Sequence, residues 1–166
     1  MKTVLFALNG SYSHTNLAVR AIGAHLADFG IQTVIIEKSL KDTRLSVLES
    51  LVREAADVYG FSVYIWNVNE MMQFASEVHA LLPKAKIVFG GPEVSFACER
   101  FEFDFIDYIV RGEGEEAIVK ICDAIKTNEK IERVIEGGFP CVMNDEGILY
   151  REGDFESGTM LYYESS

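Results

Sequence analysis

Five times in its first 130 residues the chain sets a short apolar run against a longer stretch of helical spacing, and few folds accommodate that alternation. The runs are Thr3–Leu8, Thr33–Ile36, Asp57–Ser62, Lys86–Phe89 and Asp107–Val110. Rich in Val, Ile and Phe and not strictly alternating, they read as strands buried on both faces. Between them Leu17, Ile22 and Leu26 share one helical face, closed by Gly30. Leu45, Leu48, Leu51 and Val52 mark a second helix over about 45–56, and Asn67–Leu82 a third, stopped by Pro83. A shorter helix is expected near Ser95–Phe101, and another over about Glu115–Lys126. Strand–helix alternation joined by right-handed crossovers predicts a doubly wound, five-stranded parallel sheet with helices on both faces.

Past residue 130 the character changes. Val134-Ile135, Gly137-Gly138, Pro140–Met143, a turn at Asn144–Gly147 and Ile148–Tyr150 predict a small β hairpin added to the sheet. The stretch 151–166 is acidic, contains Gly and Tyr and lacks periodicity, as a linker would. The expected division is an α/β domain over 1–130, a hairpin extension over 131–150 and a linker over 151–166.

Charge narrows the partners. With 26 acidic and 15 basic residues the net charge is −11, a field that repels nucleic-acid backbones and anionic membrane surfaces. Cys98, Cys122 and Cys141 are scattered without CxxC spacing, which points to reduced thiols in the cytoplasm rather than a disulfide frame or a zinc site. The opening MKTVLFALNG is too short in its apolar part for a signal peptide, and no run approaches the ~18 apolar residues of a membrane span.

In an open parallel sheet, ligands bind beyond the carboxyl ends of the strands. Four loops should converge there: Asn9–Thr15, Ser62–Asn67, Gly90–Glu93 and Gly112–Glu115. Gly90-Gly91, followed by Pro92-Glu93, ends its strand with no side chain, so a ligand can approach bare backbone. In the first loop, Asn9, Gly10, Ser11, Ser13 and Thr15 surround a helix N-terminus and suit an anion or a polar cofactor tail, although capping by Ser13, Thr15 or Asn16 explains part of this set. Ser62, Val63 and Tyr64 follow the third strand. Ser62 offers a hydroxyl, while Tyr64 and Trp66 either line an apolar pocket or cover the sheet edge. Gly112-Glu113-Gly114-Glu115 makes a tight turn into a helix whose first-turn carboxylates suit the dipole; as a GxG after the fifth strand it is no dinucleotide fingerprint. His14 stands alone, and His25 and His79 are expected on exposed helix faces. None has a partner at metal-ligand spacing. A nucleophile elbow and a phosphate loop are both lacking, so the chain reads as a binding module rather than a catalyst.

Taken together these loops resemble the cobalamin-binding domain at the N-terminus of many radical S-adenosylmethionine enzymes, over about residues 3–130. That family carries D-x-H-x-x-G after the first strand, S-x-L after the third and G-G after the fourth. Ser62-Val63-Tyr64 stands at S-x-L, with Tyr for Leu, and Gly90-Gly91 stands at G-G. Gly112–Glu115 resembles the V-x-G-E-G-E segment of the radical branch, and Leu161–Ser166 resembles the strand ahead of that branch's CxxxCxxC cluster motif. At D-x-H the chain has Asn9-Gly10-Ser11, and His14 comes three residues too late to take the histidine's place.

The resemblance therefore implies base-off cobalamin with no protein histidine on cobalt, its tail walled by Ser62, Tyr64, Gly90 and Gly91. It further implies a radical S-adenosylmethionine domain in cis, outside these 166 residues. That domain would carry S-adenosylmethionine and a 4Fe-4S cluster, with methyl transfer or related radical chemistry as the parent's reaction. The same flavodoxin-like (Rossmann-like) architecture also serves flavin carriers and receivers. A receiver is disfavoured because Asn9 and Ser62 replace its acidic pair and its phosphorylatable Asp. An FMN-binding domain using Ser11, Ser13 and Thr15, or a cofactor-free interaction domain, remains open at this point.

Overall fold

The structure, a computed structural model, describes residues 1–10 and 15–138. In chain order it contains β1 (Lys2–Asn9), α1 (Leu17–Asp28), β2 (Gln32–Ser39), α2 (Arg44–Arg53), β3 (Val58–Ser62), α3 (Val68–Leu81), β4 (Lys86–Gly90) and α4 (Pro92–Phe96). A 3-10 turn at Cys98–Phe101, then β5 (Tyr108–Arg111), α5 (Glu115–Thr127) and β6 (Val134–Glu136) complete it. The strands form one sheet in the order β2-β1-β3-β4-β5-β6, every pair parallel. Strand order reverses between β1 and β3, the switch point at which such sheets open a crevice.

Two expectations change. Val134 and Ile135 lie in β6, which follows α5 and pairs in parallel with β5, so the sheet has six strands rather than five. The rest of the expected hairpin and the 151–166 stretch lie outside the described residues. The short helix near Ser95–Phe101 starts earlier, at Pro92, because the fixed φ of proline suits the first helical position and its missing N–H is not needed there. Pro92 and Glu93 are thus the first turn of α4 rather than loop residues.

The two faces of the sheet are filled differently. Under α2 and α3, Phe6 stands edge-on to Phe61 and Phe74 at 5.7 and 5.8 Å, and Phe89 lies between Phe61 and Phe101. Large rings leave that side closed. Under α1 and α5 the packing is aliphatic and smaller: Leu5, Ala7, Val19, Val88, Val110 and Ile118. A cleft opens on this second face.

Two buried titrating groups tie stability to alkaline pH. The Tyr59 hydroxyl is fully buried, donates to the Leu51 carbonyl and accepts from the Ala56 N–H, both at 3.0 Å. Burial pushes its pKa up, as it does for the Cys122 thiol beside Thr3. A raised folded-state pKa means the folded chain holds these protons more tightly than the unfolded one. The contribution is therefore complete below the ordinary thiol value of 9.0 and is lost as pH climbs through the raised values. Thermal melts are expected to show a midpoint that falls as pH climbs above about 9; a flat profile there would contradict the burial of both groups.

Candidate ligand cleft at the carboxyl ends of the strands

Register decides where space appears. On the α1/α5 face, strand pairing sets Ala7, Ser62 and Gly90 side by side near the carboxyl ends. One step below, Leu5, Gly60 and Val88 form the next row. Small residues recurring across three adjacent strands leave a trench that the helices bridge without filling. The result is a cleft of about 340 Å³, within the range of small-molecule sites. Leu5, Gly60, Val88 and Val110 make its floor, and Val19, Ile22 and Ile118 its helical wall. Ser62, Tyr64, Gly90, Ser95, Gly112 and Glu113 stand among its polar and backbone lining.

The paired glycines do different jobs. A Cβ on Gly90 would meet Val110 Cβ at 3.7 Å, an ordinary contact, so the protein itself has room for a side chain there. What a side chain would take is cleft space. Gly91 has φ +112° and its Cβ would lie 2.6 Å from the Val63 carbonyl oxygen, so the backbone requires glycine with or without a ligand. Gly112, at φ +80°, turns the chain after β5, and the Ser95 hydroxyl ties that turn to the β4 loop by accepting from Gly112 N–H (2.9 Å) and donating to Gly91 C=O (3.0 Å).

On the opposite side of the mouth, Asn67 is the clamp. Its Nδ2 donates to the carbonyls of Leu8 (3.1 Å) and Ser62 (3.3 Å), and its Oδ1 accepts from Tyr64 N–H (2.8 Å). One buried side chain thus fixes the ends of β1 and β3 and aims Tyr64 at the cleft. The Tyr64 ring stacks on Trp66 with centroids 4.5 Å apart, Trp66 facing solvent. Of these two aromatics, Tyr64 lines the cleft, and Trp66 is stacked on it without joining the lining.

The start of α1 is held just as firmly. Asn16 is its cap, with Oδ1 accepting from Val19 N–H, while Glu37 accepts from Asn16 N–H at 2.5 Å and ion-pairs with Arg20. Asn9 also donates to Glu37 and does not line the cleft. Nor do Val63 and Glu93: Val63 is buried on the aromatic face, and Glu93 is paired with Arg100 at 2.7 Å. Gly10 is exposed before the first loop. Ser11, Ser13 and His14 lie outside the described residues. Pro92 and Gly114 join the lining, Gly114 against Ile22. His25 and His79 are partly buried, His25 packing on Phe29, rather than exposed as expected. Sequence reasoning missed Gly60 and Ser95, while Glu115, at the end of the converging Gly112–Glu115 loop, joins the lining. No metal-holding group of His, Cys, Asp and Glu occurs among the described residues, and none of their helices is long and apolar enough to cross a membrane.

An apolar trench on one face of a doubly wound sheet, opening at the switch point under glycine-ended strands, defines a ligand-binding domain of the Rossmann-like class. Residues 4–122 match the B12 binding domain, and the chain belongs to that family. No curated protein matches it. Among solved structures it is similar to the cobalamin-dependent S-adenosylmethionine radical enzyme OxsB, with aqua-cobalamin and S-adenosylmethionine bound (17% identity, 78% of this chain, 19% of that one, TM-score 0.66). It is also similar to the radical S-adenosylmethionine methyltransferase TsrM from Kitasatospora setae (23% identity, 77% of this chain, 26% of that one, TM-score 0.59). A third is a cobalamin-binding protein from Desulfitobacterium hafniense (17% identity, 74% and 57% covered, TM-score 0.50). The chain spans about a fifth to a quarter of the two radical enzymes' length.

The residues present fit a corrinoid tail. The cradle at Gly90 is one that a Cβ would fill, and the trench below it is apolar enough for an aromatic base.

Proposed function

We propose that this chain binds cobalamin base-off, with the lining of the α1/α5 cleft holding its nucleotide tail, and that it serves a radical S-adenosylmethionine domain in the same polypeptide. The observation that carries this reading is the slot at Gly90: main chain bare of a side chain, above a floor of Leu5, Gly60 and Val88. When bound, cobalamin supplies a cobalt centre able to carry a methyl group. The chain's own residues have simpler tasks. Gly90 and Gly60 admit the tail, Val19, Ile22 and Ile118 keep water from it, and Ser62 offers a hydroxyl at the rim. Asn67 and Ser95 hold the mouth open. Asn9-Gly10-Ser11 supplies no histidine to cobalt, which supports the base-off form.

The cis domain is supported by the kinship in fold with OxsB and TsrM, each several times longer than this chain. S-adenosylmethionine, the 4Fe-4S cluster and methyl transfer belong to that further domain. Hydroxocobalamin mixed with the chain should stay with it through gel filtration. After reduction to Co(II), its electron paramagnetic resonance spectrum should lack nitrogen superhyperfine splitting. Triplet splitting would overturn the base-off assignment, and a chain that retains FMN in place of cobalamin would overturn the ligand.

A further inference from the structure

Glu115 opens α5. Two carboxylate oxygens among the described residues are buried without a hydrogen-bond partner, Glu77 Oε2 and Glu115 Oε2, and only the second belongs to a residue of the cleft lining. Ionised carboxylates accept hydrogen bonds and cannot donate them, and a buried oxygen without a partner carries a desolvation cost that a native structure rarely leaves uncompensated. Gly114 before Glu115 has no side chain, and the wall it joins is Ile22 and Ile118. A first-turn acid also favours the helix dipole, but that role is met in solvent, as at exposed Glu116, and does not require burial in a cleft.

We infer that Glu115 is the polar anchor of the cleft and accepts a hydrogen bond from a ribose hydroxyl of the ligand's nucleotide tail. The inference rests on the cobalamin reading above. Chemistry selects the donor. The tail's phosphodiester has no donor and would be repelled by the carboxylate. The dimethylbenzimidazole base, linked to ribose through one nitrogen and methylated only on carbon, has no N–H. Ribose hydroxyls are the donors left on the nucleotide, and an acidic side chain taking a ribose hydroxyl recurs in doubly wound nucleotide sites. Glu115 thus sets which corrinoids the chain prefers: those carrying a complete nucleotide tail.

The test compares cobalamin with cobinamide, which keeps the corrin amides and the aminopropanol arm but lacks phosphate, ribose and base. Spectral titration of Glu115→Ala is expected to show cobalamin bound roughly 10-fold to 100-fold more weakly, the range for a hydrogen bond to a charged group. Cobinamide affinity should change less than about two-fold. Glu115→Gln, which keeps a neutral acceptor of the same shape, should recover part of the loss. Glu116→Ala, which removes a charge from the same first turn, should bind both like the wild type. Equal affinity of Glu115→Ala and wild type for cobalamin would overturn the inference, as would a matching loss for both ligands. Wild-type chain that binds no cobalamin would bring down the cofactor reading and this inference together, whereas binding by wild type leaves the variants to decide Glu115 alone.

Discussion

Gly90→Val is expected to abolish cobalamin retention while the chain folds and melts close to wild type. Affinity should fall at least about 100-fold, equivalent to roughly 3 kcal/mol of lost binding. The separation of the two effects follows from what surrounds the residue. Gly90 is not in a left-handed conformation, so valine adds no backbone strain, and a β-branched residue suits a strand. The nearest protein atom to a new Cβ is Val110 Cβ at 3.7 Å, an ordinary van der Waals distance. The valine side chain is therefore expected to take up cleft space above Val88 and beside Ser62, in the space assigned to the tail. Changing Gly91 in the same experiment would obscure the result. At φ +112° and 2.6 Å from the Val63 carbonyl oxygen, its substitution damages the β4–α4 turn itself. Spectral titration, with circular dichroism as the control, decides the matter. Affinity within a few-fold of wild type in a folded Gly90→Val chain would place the tail elsewhere.

That contrast also marks what could be read from the residues in order. Gly90-Gly91 was legible as a backbone feature at a strand end, but which glycine serves the ligand and which serves the fold depends on Val63, 28 residues before Gly91. Continuous apolar runs gave away five parallel strands because burial on both faces suppresses alternation. The sixth, Val134–Glu136, is three residues long with one buried side chain, too short for a periodic signal to separate it from a hairpin arm. Gly60 sits within an ordinary strand run, and nothing local says that its missing side chain matters. Only its register against Leu5 and Val88, on the face covered by α1 and α5, makes it part of a trench. Glu115 was legible as a first-turn acid closing a converging loop, but the burial of one of its oxygens is a property of the assembled helix and sheet. Asn16 as a cap and Ser62 as a rim hydroxyl needed only local reasoning.

Asn67 is the residue whose importance the sequence concealed most, and its replacement should produce a large loss of stability. Read along the chain it is a helix-start asparagine, yet its side chain makes no capping hydrogen bond to α3. It is 1% exposed and spends all three contacts on the cleft mouth: Leu8 and Ser62 carbonyls and the Tyr64 N–H. Asn67→Ala removes the partner of each and leaves a small void, so a cost on the order of 3 kcal/mol is expected from urea unfolding. Asn67→Asp sharpens the test. It keeps the acceptor for Tyr64 N–H but turns an oxygen toward two carbonyl oxygens in a buried position, where neither charge nor lone pairs are compensated. The aspartate variant should therefore be at least as unstable as the alanine variant at neutral pH, although it is the closer match in shape. Should Asn67→Asp retain wild-type stability, the amide donors would not be what holds β1 to β3, and the rigid mouth inferred for the cleft would lose its basis. Cobalamin affinity should fall in both variants, because Tyr64 and the Ser62 rim are positioned by the same side chain.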